Sequence, residues 1–471
     1  MPMNPRLLRP PAKGRTLYFN GAVDSDWDTL GNWWRDSGHT VPVTALPTAT
    51  DRVVASNVID TNSGGEPTVE NFTTNNNIGI ALTVTGVATF NDSAHNGISV
   101  GGNATFNNSS QNDGTVTGDA TFNGSSYNQS SGIVTLDATF NGTSVNTGTV
   151  GGDATFNGDS YNDSTGTVGG DATFNGSALS AGTVTGNAEF SGGSYSDGLV
   201  GGNATFNNSS YNQSSGTVGG DATFNDSSKN YGPVTGNATF NDSSFNDTGV
   251  VSGNATFNGI SYNYYTVTGD ATFNDSSYNL SVITGDATFN DGSHNDSTVG
   301  GDATFNDAST NNDNGIVTGN ATFNGESGIP SGSYAADVLG YATFNDFSYF
   351  GGGTLTGVGA TFNDNAYADF TTIDGDATFN DFSYNYSNIG GTATFNGNSH
   401  NEEGNGASAG TNTFNDSAYN NGTISGNATF NGSSYNSVTG NVTGTATFTG
   451  SACNDGGTAS TFVPDPPPTC P

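Results

Sequence analysis

Apolar and polar residues alternate strictly through one recurring phrase, Ala-Thr-Phe-Asn, as at Ala120 to Asn123. Alternation at period two predicts a short strand with Ala and Phe on one face and Thr on the other. The central aromatic recurs at Phe90, Phe106, Phe122, Phe140, Phe156, Phe174, Phe190, Phe206, Phe224, Phe240 and Phe257. It continues through Phe273, Phe289, Phe305, Phe323, Phe344, Phe362, Phe379, Phe395, Phe414, Phe430 and Phe448. Of these 22 copies, 20 read Ala-Thr-Phe, and 11 of the 21 intervals are 16 residues long. Units this short cannot bury their own apolar faces and must stack on their neighbours. The pattern predicts an all-β chain, a single-chain parallel β-solenoid of about 22 coils of 16–18 residues with an N-terminal cap. Its Phe side chains form the inward core column. Right-handed winding is the default for parallel crossovers, and coils stacked at about 4.8 Å give a rod of roughly 100 Å.

A second strand is expected around Val116, Val134, Val150, Val168, Val184, Val218, Val267, Ile283, Val299, Ile316 and Leu355. Gly follows soon after, as at Gly118, Gly152 and Gly285, where it is expected to turn the chain at positive φ. Between the two strands runs a second aromatic column: Tyr127, Tyr161, Tyr195, Tyr211, Tyr262, Tyr278, Tyr349, Tyr367, Tyr384, Tyr419 and Tyr435. Other coils carry His95, Gln111 or Lys229 in that slot. Gln and Lys are expensive to bury unpaired, so the column is expected to face out. The small residue before it (Ser126, Ser277, Ala366) is expected to face in. The Asn after it (Asn128, Asn162, Asn279) suits a stacked amide ladder or a left-handed corner. The slot before Ala mixes Asn103, Asp119, Asp137 and Asn187, and a pure Asp column there would repel itself.

Composition alone would suggest disorder, since only 32% of the 471 residues are apolar and 70 are Gly. The fixed Phe slot argues instead for a thin solenoid core. The net charge of −36 sets the body against nucleic-acid phosphates and anionic membrane surfaces. Four of the seven basic residues, Arg6, Arg9, Lys13 and Arg15, sit in a Pro-rich basic arm at 1–15, which has no apolar core of a secretory signal. No run is long enough for a membrane span. Residues 16–70 read as a cap holding all three tryptophans, Trp27, Trp33 and Trp34; 71–450 read as the array, with Phe72 in a first coil. The tail at 451–471 is Pro-rich, and Cys453 and Cys470 could form one bridge there. The longest interval, Phe323 to Phe344, is expected to bulge as a loop at 326–334.

Spaced five apart, Phe273, Tyr278 and Ile283 resemble pentapeptide-repeat proteins, whose central residue points inward. The usual coil of 16 rather than 20 residues implies a three-sided tube in place of that family's four-sided one. The phrase from Trp27 to Trp34, with Leu46-Pro47 and Asp51, resembles the opening of bacterial and phage-type β-solenoid surface proteins. The start, Asn4-Pro-Arg-Leu-Leu-Arg-Pro10, resembles the N-termini of proteins associated with phage tails, which implies an arm attached to a particle.

Candidate chemistry is sparse. The chain has no His/Cys metal spacing, phosphate loop or nucleophile elbow, so no catalytic or metal residue is assigned and the chain is read as no enzyme. The off-repeat carboxylates Glu326, Asp337, Asp369, Glu402 and Glu403 look too scattered to pair. No cofactor is required, although Ca²⁺ could use the oxygen-rich turns. Paired threonines for ice binding occur in four separated coils, as at Thr115 and Thr117. The expected function is a structural rod or fibre segment on an extracellular surface or virion, with other surface or virion proteins as partners. The alternatives are a glycan-binding adhesin using the Tyr stripe and an ice-binding protein.

Overall fold

The computed structural model describes residues 14–23, 27–55, 68–74, 79–80, 83–333, 335–402 and 410–471. Most of the basic arm, Tyr334 and Glu403 lie outside the described residues. The fold is an all-β single-chain β-solenoid of parallel stacked coils, about 23 turns, with 43% strand and 1% helix. The chain divides into two compact units, Met1–Ala222 and Thr223–Pro471.

Each coil has three sides, built of short strands or, on the third side of some coils, a single bridge, and in-register parallel pairing to the next coil carries the repeat forward. In the N-terminal unit Ala104–Phe106 pairs with Ala120–Phe122, Gln111–Asn112 with Tyr127–Asn128, and Thr115–Val116 with Ile133–Val134. In the C-terminal unit Ala271–Phe273 pairs with Ala287–Phe289 and Tyr278–Asn279 with His294–Asn295; the third side is a single bridge, Val267 to Ile283. The inward residues of a coil are therefore Ala271, Phe273, Ser277, Asn279 and Ile283, all buried. Tyr278 lies outward between Ser277 and Asn279 and is half-buried. A pentad register would have turned Tyr278 inward; the alternation of buried Ser277 and Asn279 on either side of it prevents that. On the third side Val317 rather than Ile316 fills the core.

Phe rings stack along each unit. From Phe90 to Phe206 the neighbouring centroids lie 4.7 to 4.8 Å apart. From Phe224 to Phe448 they lie 4.6 to 4.9 Å apart. The strand spacing of a parallel sheet imposes this repeat, and identical side chains in register can satisfy it only by stacking.

The left-handed corner falls elsewhere than at Gly118, Gly152 and Gly285, none of which has a positive φ. Glycine is needed there because coils approach closely: a Cβ on Gly285 would lie 2.7 Å from the Gly269 carbonyl oxygen and collide with Asp270 Oδ1. The positive φ belongs to the second residue after Phe, such as Asp275 (φ 60°) or Gly259 (φ 72°). Asp, Asn and Gly are the residues that tolerate it.

The N-terminal unit begins with Thr16–Phe19, paired antiparallel to Trp33–Trp34 and parallel to Arg52–Ala55. Trp33 is fully buried, 4.9 Å from the Phe19 ring and 4.7 Å from Trp27, and its Nε1 donates to the Trp27 carbonyl. Trp34 is only half-buried. Arg15 donates to Asp51 at 2.6 Å, tying the chain start to this cap. Phe72 pairs with Ala88, and Thr74 with Phe90, so Phe72 occupies an Ala slot and meets the Phe90 ring tilted by 41°. In the C-terminal unit Gly328–Ile329 pairs with Tyr349–Phe350 instead of bulging, and the loop begins at Pro330. Cys453 and Cys470 form a disulfide that folds the proline-rich tail back, and Asn454 donates to the Pro468 carbonyl.

Candidate functional site

Three polar columns explain most of the repeat consensus. The inner one is the Asn that follows Tyr: Asn263 Nδ2 donates to Asn279 Oδ1, Asn279 to Asn295 and Asn295 to Asn311, at 2.7 to 2.9 Å. These amides are wholly buried, and each meets a donor with an acceptor. The second column, the Asn directly after Phe, escapes the sequence reading although its near-constancy is equally plain. There Asn290 donates to Asn274 and Asn274 to Asn258, at 2.7 to 2.8 Å, and the chain of bonds runs from Asn431 back to Asn225. The inner ladder donates toward the C-terminus and the outer one toward the N-terminus, so their dipoles oppose. Where Ser191 interrupts the outer ladder, the Glu189 carboxylate accepts from Asn207 at 3.1 Å.

The third column is the Asp/Asn slot before Ala. Its Oδ1 accepts the backbone N–H of the next coil: Asp286 N donates to Asp270 and Asp302 N to Asp286, at 2.8 to 2.9 Å. Only an acceptor is needed, which Asp and Asn both supply. Residue mixing in this slot therefore follows from the bond made, and relief of like-charge repulsion is secondary. Several buried serines do the reverse and donate, as Ser309 Oγ does to the Phe289 carbonyl at 3.1 Å, while Ser277 and Ser348 make no such bond.

The Tyr column is a ladder as well. Tyr195 stacks on Tyr211 at 4.9 Å and Tyr262 on Tyr278 at 5.0 Å. The longest run is Tyr349, Tyr367, Tyr384, His400, Tyr419 and Tyr435, with centroids 4.6 to 6.1 Å apart. Rings this close cover one another's faces and present edges and hydroxyls to solvent. A sugar therefore cannot slide between them. Tyr127 and Tyr161 each flank Val145 in the pairing register, so no such run forms there. Burial raises the Tyr384 and Tyr419 hydroxyl pKa values, and the Glu402 carboxylate adds to the rise.

Asp369 and Glu402 stand in register two coils apart in the C-terminal unit, with the Tyr386 coil between them, and do not pair with each other. Asp369 and Glu402 act electrostatically on Tyr384 and Tyr386 from neighbouring coils. Glu402 accepts from His400 Nε2 at 2.8 Å; burial nonetheless lowers the His400 pKa. Glu326 lines only a shallow depression with Asp307, and Asp337 accepts from Thr356. Among the described residues, no group of three or more His, Cys, Asp or Glu side chains is arranged to hold a metal ion, and no helix is long and apolar enough to cross a membrane. No family model, curated protein or solved structure matches the chain.

Proposed function

We propose that this chain is a non-enzymatic structural element, a spacer or fibre segment displayed on an extracellular surface or a virion. The observation that supports it most is the outer amide ladder, in which each coil from Asn225 to Asn431 repeats one bond to its predecessor. Selection for a reaction would concentrate unusual residues at one cleft, whereas selection for a spacer repeats one bond along the chain. The opening phrase with its tryptophans and the arm at 4–10, which resemble bacterial surface and phage-tail β-solenoid proteins, favour the surface or particle location. An ice-binding reading is disfavoured, because the Thr column of the Phe strand is neighboured by amides that already bond one another. Antibody-gold labelling of intact cells and purified particles from the source tests the proposal. Label on an exterior surface or particle is expected; confinement to the soluble cell interior overturns it.

A further inference from the structure

The aromatic face of the C-terminal unit contains residues that the repeat does not require. Phe347, Phe370 and Phe382 are 58 to 67% exposed, unlike every Phe of the stacked column. Phe382, Tyr384 and Tyr386 alternate outward with buried Ser383, Asn385 and Ser387 along one stretch. Exposed rings grouped this way are unusual on a soluble surface and mark interaction sites. Phe370 is also held at φ 52°, a conformation that a bulky side chain adopts only under strain. Its ring stacks on Tyr386 at 5.9 Å. The strained turn thus holds an apolar ring in water against a second ring.

Carboxylates bracket this pair. In the coil before Tyr386 stands Asp369, half-buried, whose carboxylate makes no hydrogen bond to the described residues; in the coil after stands Glu402, whose two oxygens already accept from His400 Nε2 and Asn421 Nδ2. Beyond Thr223 the sequence holds a single basic residue, Lys229, which lies over the Phe245 ring. The patch therefore combines exposed aromatic rings with one carboxylate, Asp369, that no basic residue of its own unit meets. A planar guanidinium fits both features at once, stacking on a ring and bonding to a carboxylate. A second copy of this acidic body is opposed by charge, and an uncharged sugar would leave the Asp369 carboxylate uncompensated.

We infer that the face built by Phe370, Tyr386 and Asp369 docks an arginine-bearing segment of a partner protein. Arginine and aromatic residues are the pairing that dominates interface anchors. The surface is independent of whether the chain serves as a fibre.

Fluorescence anisotropy with a labelled Gly-Arg-Gly-Arg-Gly peptide tests this on the full chain, with the lysine and citrulline versions as comparisons. The variants are Tyr386→Ala and Phe370→Gly, which leave the net charge intact. Phe370→Gly also relaxes the positive φ, so its melting temperature should equal or exceed that of the parent. Expected are binding of the arginine peptide that weakens by about tenfold in each variant and weaker binding of the other two peptides. Unchanged binding in both variants would reduce the effect to diffuse attraction by the acidic body and overturn the proposal. Saturable binding of a neutral glucose oligomer that these variants abolish, without binding of the arginine peptide, would overturn it too.

Discussion

Asn279 donates its side-chain amide to Asn295 at 2.8 Å with both residues wholly buried, while its own oxygen accepts from Asn263. A buried amide in this position needs both ends. Asn279→Asp replaces the donor by a second acceptor and should destabilise by about 2–4 kcal/mol. Burial would raise the folded-state pKa of the new carboxyl above its unfolded value of about 4. The loss is then complete above the folded pKa and shrinks as pH falls through it. In contrast, Asn254 is exposed and uses only its Oδ1, to accept from Asp270 N. Asn254→Asp should change stability by less than about 0.5 kcal/mol. Urea melts of the two variants at neutral and acid pH separate these cases.

The left-handed corner gives a second contrast. Asp275 sits at φ 60°, where the neighbouring coil has Gly259. Asp275→Gly should be neutral within about 0.5 kcal/mol, and Asp275→Val should cost roughly 1–2 kcal/mol. Equal melting temperatures for the two would refute this assignment of the corner.

The solenoid class was legible because Phe at a near-fixed spacing leaves one way to hide an aromatic ring per turn. The inward Ser and outward Tyr could be argued from Lys229 and Gln111, which resist burial. Other features were not legible. Positive φ at Asp275 and close approach at Gly285 both select small or polar residues, so composition alone could not tell a strained corner from a crowded one. Phe72 matched the column by spacing, yet pairing with Arg52–Ala55 at the cap sets its strand so that it faces Ala88. Asp369 and Glu402 lie 33 positions apart in sequence, and only the coil length places them on the turns either side of Tyr386.

Acid should loosen the cap. Burial works to raise the Asp51 pKa, but bonds from the Arg15 guanidinium, the Arg15 and Thr48 backbone N–H groups and the Thr48 hydroxyl hold it down at about 2. Its folded pKa lies below the unfolded one, so the contribution is present above about pH 4 and lost as pH falls toward 2. Asp51→Asn should lower stability at neutral pH and flatten that dependence, as read by tryptophan fluorescence of the buried Trp33.

Reduction of the Cys453–Cys470 bridge, 17 residues apart, frees the tail from the last coil. By the entropy of the loop released, it should destabilise the terminal coils by about 3 kcal/mol. Hydrogen exchange at the backbone N–H of Asn454, bonded to Pro468, should accelerate, while exchange near Phe273 should not change.

The column of stacked rings carries the central claim. Phe240 is fully buried and lies 4.8 Å from both Phe224 and Phe257. Equilibrium unfolding of Phe240→Ala tests it most directly. A loss of about 3–5 kcal/mol is predicted, and an unfolding curve indistinguishable from that of the parent would contradict the account.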